Sequence, residues 1–499
     1  MPQTSLTYLF TDSEFQDALT TMLLPTYLPQ QRWFTSKGKT IERVDTQAYH
    51  PVTEDAGIAL IEVTFTDGSH ERYQLPLSLS TTAAHRAFYR EKYPELILGE
   101  ITGTGLLADA VPRRDFRAAV YRLIHGSEQR SGGLNAEAGR ALRQAPAEAT
   151  STVPAIDTSN TAIIYADQFF FKLFRKLDPG LNPDLELVRF LSEHTDFAHC
   201  PPYGGSLGIG SMEDEDYLNL GLMSGKVDNC GDAWSLFQQL TERYYRSGGG
   251  EVDQETLDRA RLLGRRTAQM HRALASADAS RPDLVPEPMT AEYRSEISEA
   301  ALRLLDRQFT QLAERLEELP EANRALAQQV LEARAALSDR LTALRNRELS
   351  AQLSRIHGDY HLGQVLYTDD DFYIIDFEGE PLLSIPERRR KRPPLKDVAG
   401  MVRSFHYAAQ GQLLLNAKRY EGQSLSERAE AWYATVRDAY LAAYFEACGT
   451  ADFLPPVQED REALLNLFVL EKAVYEVAYE LNSRPAWLPI PLRGVLSLV

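Results

Sequence analysis

What most constrains the fold of this chain is a change of pattern near residue 225. Before it, short apolar runs alternate with turn residues; after it, long stretches rich in Ala, Leu, Glu and Arg repeat their apolar positions at helical spacing. In the first part, residues 58–65 and 73–79 are expected as strands about the turn Asp67-Gly68-Ser69. Residues 161–165 and 168–174 predict a second hairpin about Ala166-Asp167. A strand is expected at 217–223, and a helix at 183–191 with Asn182 as its N-cap. Residues 13–24 predict a short helix ending at Pro25. Residues 134–152 have no apolar period and predict a surface loop or a short helix. In the second part, 257–274 predicts a helix, and 290–349 predicts an antiparallel helix pair divided at Pro320.

The net charge of −18, from 53 basic and 71 acidic residues, argues against general nucleic-acid binding, which neutralises phosphates with Lys and Arg. It argues equally against an anionic membrane surface. Cys200, Cys230 and Cys448 are far apart, with no CxxC spacing. That excludes a disulfide framework and predicts reduced, buried thiols. No signal-peptide pattern opens the chain, and no apolar run approaches the ~18 residues of a membrane span. A cytoplasmic protein with no membrane partner is expected.

The densest chemistry lies in Ile356-His357-Gly358-Asp359-Tyr360-His361-Leu362-Gly363-Gln364 and in Ile375-Asp376-Phe377-Glu378-Gly379-Glu380. Apolar residues 365–367 and 373–375 flank an Asp-rich turn at 369–371. This predicts a hairpin that brings Gln364 beside Asp376. A carboxylate, an amide five residues on, and a second carboxylate after the next strand are what phosphoryl transfer needs. Asp359 is the expected catalytic residue. Gln364 and Asp376 are expected to hold Mg2+ against the phosphates of ATP. This is the layout of a protein-kinase catalytic loop. His357 and His361 suit a zinc pair or buried histidines as well, but Gly358 and Gly363 break any helix between them, and both are expected to shape the loop.

Such a site needs a lysine for the α- and β-phosphates. Lys172, inside the apolar strand Phe169-Phe170-Phe171-Lys172-Leu173-Phe174, is the candidate, with Glu186 on the following helix as its partner. No glycine-rich loop precedes it; Ser159, Asn160 and Thr161 stand where short polar side chains and backbone N–H groups cover phosphates. The expected fold is α+β and bilobal, of the protein-kinase kind. Its strand-rich first lobe precedes a mainly helical second lobe, and the ligand belongs in a cleft between unlike lobes.

Several runs together resemble the maltokinases, bacterial enzymes similar to aminoglycoside phosphotransferases and choline kinases. They are Leu28-Pro29-Gln30-Gln31-Arg32-Trp33-Phe34, Ser159-Asn160-Thr161, Lys172 to Gly180, Asn182 to Glu186, the two catalytic segments above, Arg388 to Lys391, Leu395 to Met401, and Glu471 to Asn482. The resemblance implies a cap subdomain at 1–100, a β-rich nucleotide subdomain at 101–225 and a helical sugar-binding lobe at 226–499. It implies ATP plus maltose giving ADP plus maltose 1-phosphate, a precursor for glycogen and other α-glucans. Some relatives are fused to trehalose synthase, so a separate trehalose synthase is a possible partner.

On the acceptor side, residues 388–392 form a basic run that suits a solvated loop or one steering phosphate charge. The resemblance adds Lys396, Asp397 and Arg403 to the residues expected near the substrate, with His361. Tyr475 and Tyr479 share a helical face, which suits either stacking on a sugar ring or core packing. Glu476, Lys472 and Arg493 are further candidates for sugar hydroxyls. A kinase for another sugar such as glucosamine, a non-catalytic binding protein of kinase-like fold, and a zinc hydrolase are the alternatives.

Overall fold

The computed structural model describes residues 5–130, 132–155, 159–248, 250–416, 418–420 and 425–499. The chain divides into two compact units. One comprises Met1–Arg189, Pro201–Val227 and Ser384–Pro386; the other comprises Phe190–Cys200, Asp228–Leu383 and Glu387–Val499.

In the first unit the short helix Leu6–Leu9 is followed by a helix that does not stop at Pro25. It runs through Ser13–Ala18, a π-turn at Leu19–Leu23, and Leu24–Tyr27. Pro25 falls in the first turn of the last segment, where a missing N–H is tolerated. An antiparallel sheet follows, in the order Ile41–Pro51, Ala56–Phe65, His70–Ser80, Gly105–Asp109, Ile97–Ile101. The expected hairpin about Asp67-Gly68-Ser69 is its centre, with Thr64 paired to His70. One face buries Ile61, Val63, Leu75 and Leu77 against Leu24, Leu28, Trp33 and Phe34.

A second antiparallel sheet has the order Leu134–Ala138, Tyr203–Ile209, Leu218–Gly225, Phe169–Leu173, Thr161–Tyr165, Ser151–Thr152. The loop expected at 134–152 therefore contains two strands and the short helix Arg140–Arg143. The buried positions of its first strand are Leu134, Ala136 and Ala138, and two alanines are too weakly apolar to reveal a period of two. The two sheets are joined through buried polar contacts. Gln74 Nε2 donates to the carbonyls of Phe174 and Leu220. Arg175 Nη2 pairs with Asp109 Oδ2 at 2.8 Å, both side chains almost fully buried. The same guanidinium lies 4.9 Å from the Trp33 ring centroid and donates from Nε to Thr161 Oγ1 at 2.8 Å.

The second unit is mainly helical. Gln254–Leu274 packs on Ser426–Cys448, and Leu395–Leu415 on Gln458–Ser483. The stretch expected as a helix pair is three helices: Ala291–Glu314, Glu321–Glu332 and Arg334–Arg345. Pro320 caps the second, while the break at Ala333 carries neither proline nor glycine to announce it. A small sheet of Gly231–Asp232, Val365–Tyr367 and Phe372–Ile374 carries the catalytic hairpin. All three cysteines are free; Cys200 and Cys448 are buried, but Cys230 is exposed, which corrects the expectation of three buried thiols. Among the described residues, no helix is long and apolar enough to cross a membrane.

Candidate active site

The predicted hairpin forms, with Val365 opposite Ile374 and Tyr367 opposite Phe372. It brings Gln364 and Asp376 together: Gln364 Nε2 donates to Asp376 Oδ2 at 2.8 Å. Asp376 adopts φ +66°, a left-handed conformation that aspartate tolerates better than most residues but that still costs energy. The strand ends two residues earlier, at Ile374, and the carboxylate lies outside the strand's alternation. Gln364 Oε1 accepts no hydrogen bond from any described residue. An amide oxygen and a carboxylate side by side are the hard oxygen donors that magnesium takes, so these residues fit the ion.

The loop that carries Asp359 is held from behind. The buried carboxylate of Asp397, near the start of the Leu395–Leu415 helix, accepts the backbone N–H of His357 at 2.8 Å and of Gly358 at 2.9 Å. His271 Nε2 lies 3.1 Å from the same carboxylate, and His271 Nδ1 lies 3.0 Å from the Tyr444 hydroxyl. Burial pushes the Asp397 carboxyl up, but His271, His357 and the Gly358 N–H outweigh it and hold it below the usual range. Gly358 has φ +89°, and a Cβ there would lie 3.0 Å from the Cα of Gly379. The loop thus passes close over the segment after Asp376. His357 closes the arrangement, with Nε2 2.9 Å from the Ile375 carbonyl and its ring 4.8 Å from that of Phe377.

His361 Nδ1 accepts the N–H of Gly363 at 3.0 Å, which leaves the ring proton on Nε2. That nitrogen lies 4.0 Å from Asp359 Oδ2. Burial lowers the basicity of His361; Asp359 opposes this, while His357 and Lys472 reinforce it. Among the described residues, neither histidine belongs to a group of three or more side chains close enough together to hold a metal ion.

In the first unit, Lys172 Nζ lies 3.1 Å from Asp184 Oδ2. Asp184 and the nominated Glu186 both stand in the first turn of the Pro183–His194 helix, and sequence spacing does not separate them. The Asn182 side chain accepts the Asp184 N–H at 2.8 Å, as its capping role requires. Ser159 is exposed, and Asn160 and Thr161 are half-buried; the Thr161 hydroxyl is engaged by Arg175.

Residues 168–447, more than half of the chain, match the model of the phosphotransferase enzyme family. The chain belongs to that family. Residues 27–111 match the maltokinase N-terminal cap domain. A glucosamine kinase from Streptacidiphilus jiangxiensis is 26% identical over 352 residues, covering 69% of this chain and 72% of that protein. One from Mycolicibacterium smegmatis is 29% identical over 150 residues, covering 29% of this chain and 34% of that protein. A solved glucosamine kinase in its crystal form B aligns with TM-score 0.68 at 19% identity, over 95% of this chain and 97% of that one. Another, in complex with glucosamine, ADP and inorganic phosphate, aligns with TM-score 0.66 at 20% identity, over 91% and 94%. These structures share the fold of this phosphotransferase.

The acceptor-side residues of the phosphotransferase sort into two groups. Tyr475 and Tyr479 are exposed, at 39% and 48%, which removes core packing as their explanation. Lys472 lies one turn before Tyr475 and two before Tyr479, with Nζ 3.9 Å from Asp359 Oδ1. By contrast, Arg403 and Glu476 are buried against each other, with Nε and Nη2 at 2.9 and 2.7 Å from Glu476 Oε2. Arg403 was expected to reach a cleft and Glu476 to meet a sugar; they form an ion pair between two helices instead. Asp397 likewise points inward to the loop backbone. Lys396 pairs with Glu471 at 2.9 Å, and Arg493 donates to Gln410 Oε1 at 3.1 Å. Three cations of the basic run are paired: Arg389 meets Asp283 at 3.0 Å, Arg390 meets Glu296 at 2.8 Å, and Lys391 meets Glu287. Asp184 and His271 take their roles from side-chain contacts that no local motif announces, and Lys472, a candidate for sugar hydroxyls in the sequence, stands beside Asp359.

Proposed function

We propose that this phosphotransferase is an ATP-dependent sugar kinase acting on maltose and giving maltose 1-phosphate, an activated unit for α-glucan assembly. The observation that carries the reading is the Gln364–Asp376 contact next to the loop of Asp359. The anomeric hydroxyl attacks the γ-phosphorus in line. The bond from that phosphorus to the β,γ-bridging oxygen breaks, and Asp359 takes the hydroxyl proton. Lys172 secures the α- and β-phosphates. Gln364 and Asp376 would hold magnesium, which when bound draws charge from the phosphate oxygens. Positioning and charge stabilisation supply most of the acceleration, so no phosphoenzyme is required.

The match of residues 27–111 to a maltokinase cap and the exposed rings of Tyr475 and Tyr479 favour maltose. A second reading, glucosamine as acceptor, is favoured by the names of the relatives. A panel of maltose, glucosamine, glucose and trehalose in a coupled ADP-release assay separates them. Maltose is expected to give the highest kcat/KM, with Asp359→Asn lowering turnover by about 10²–10⁴-fold. Turnover with glucosamine but not maltose would overturn the acceptor assignment.

A further inference from the structure

We infer that Lys472 is a catalytic residue that holds the oxygens of the phosphoryl group in flight, rather than a ligand for sugar hydroxyls. The inference rests on the kinase reading above and extends its machinery to the Gln458–Ser483 helix.

Lys472 is placed by its neighbours. Glu471, immediately before it, is clamped by Lys396 at 2.9 Å. Glu476, one turn later, is clamped by the buried Arg403 at 2.7 Å. These two ion pairs fix the rotation of the helix, and the face between them presents Lys472 to Asp359. Its Nζ stands 3.9 Å from Asp359 Oδ1, near enough for charge attraction and too far for a hydrogen bond. The Tyr475 ring centroid lies 5.4 Å from the same nitrogen. Among the described residues, none of the three N–H donors of Lys472 meets an acceptor within hydrogen-bonding distance.

Three N–H donors that no described side chain engages leave this ammonium able to meet a ligand beside Asp359. The group it faces is the proposed proton acceptor, so the atoms that pass here are the attacking hydroxyl and the three equatorial oxygens of the transferred phosphoryl group. The hydroxyl is neutral and already has Asp359. The phosphoryl oxygens carry the spreading negative charge, which is what an ammonium stabilises most. Lys472 gains and loses no bond during the step. The phosphorus–oxygen bond to ADP breaks, the bond to the sugar oxygen forms, and the proton goes to Asp359.

Steady-state kinetics of the full chain with Lys472→Met and Lys472→Arg test this, alongside binding of ADP with and without aluminium fluoride in the presence of magnesium and acceptor. Lys472→Met is expected to lower kcat by about 10²–10³-fold, the effect of losing one transition-state donor, with the KM values for sugar and ATP within about twofold. It is expected to lose the tighter binding that aluminium fluoride confers while ADP alone binds as before. Lys472→Arg retains the charge and is expected to recover about a tenth of the activity. A raised sugar KM with kcat unchanged, or kinetics equal to wild type, overturns the inference. If Lys472→Met melts early, Lys472→Gln, which is shorter and polar, carries the same comparison. Failure of the wild-type chain to phosphorylate any acceptor defeats the kinase reading itself and is distinguishable from an active enzyme indifferent to Lys472.

Discussion

Asp376 combines two demands at one residue: a carboxylate beside Gln364 and a backbone at φ +66°. These can be separated by mutation. Asp376→Gly relieves the backbone and removes the carboxylate, so it is expected to abolish turnover while leaving thermal stability near wild type. Asp376→Val removes both the carboxylate and the tolerance for this conformation, and is expected to cost about 1–2 kcal/mol more than the glycine variant. Calorimetric melting paired with the ADP-release assay checks both. The meeting of Gln364 and Asp376 was legible in the sequence because one hairpin carries it. Arg403, Glu476 and Asp397 were not, because a polar residue facing a ligand and one in a buried ion pair leave the same mark on a helical repeat. Asp184 and Glu186 show the same ambiguity within a single turn.

The Leu395–Leu415 helix is the element that fixes the catalytic loop. A Cβ on Gly400 would lie 2.6 Å from the Tyr360 carbonyl oxygen, so only glycine lets the helix lie this close. Asp397 makes the contact specific. Asp397→Ala leaves two backbone N–H groups and His271 without their acceptor and is expected to cost about 3–5 kcal/mol. Because the folded-state carboxyl is held below its usual range, its contribution is complete above the unfolded value of about 3.9. It fades as pH falls through the lower folded value. Urea midpoints measured from about pH 6 downward should therefore drop more below roughly pH 4 in wild type than in Asp397→Asn. At this scale the sequence predicted the three hairpins at 58–79, 161–174 and 365–375 and the helices Pro183–His194 and Gln254–Leu274. It missed the strand Leu134–Ala138, whose buried side is mostly alanine, and the break at Ala333, where tertiary packing alone bends the chain.

Across the whole molecule, charge is arranged in local pairs rather than as a field. The net charge is −18, and Arg389, Arg390 and Lys391 of the basic run after the catalytic segment are matched by Asp283, Glu296 and Glu287. The double variant Arg389→Ala/Arg390→Ala is accordingly expected to leave the KM for ATP within about twofold and to cost less than about 1 kcal/mol per pair, as exposed ion pairs do. A large rise in that KM would restore a steering role. The pairing of Arg175 with Asp109 and Trp33 is different in kind, because it is buried and joins two sheets within one unit. It has a consequence for synthesis. A ribosome adds five strands of the first sheet, with Asp109 waiting, before it adds Arg175 and the sixth strand Lys176–Leu177, and at roughly 5–20 residues per second that interval lasts several seconds. During that time the nascent chain carries an unanswered acid and an uncovered tryptophan, so the leading segment should stay sensitive to protease in arrested chains until the second sheet has emerged.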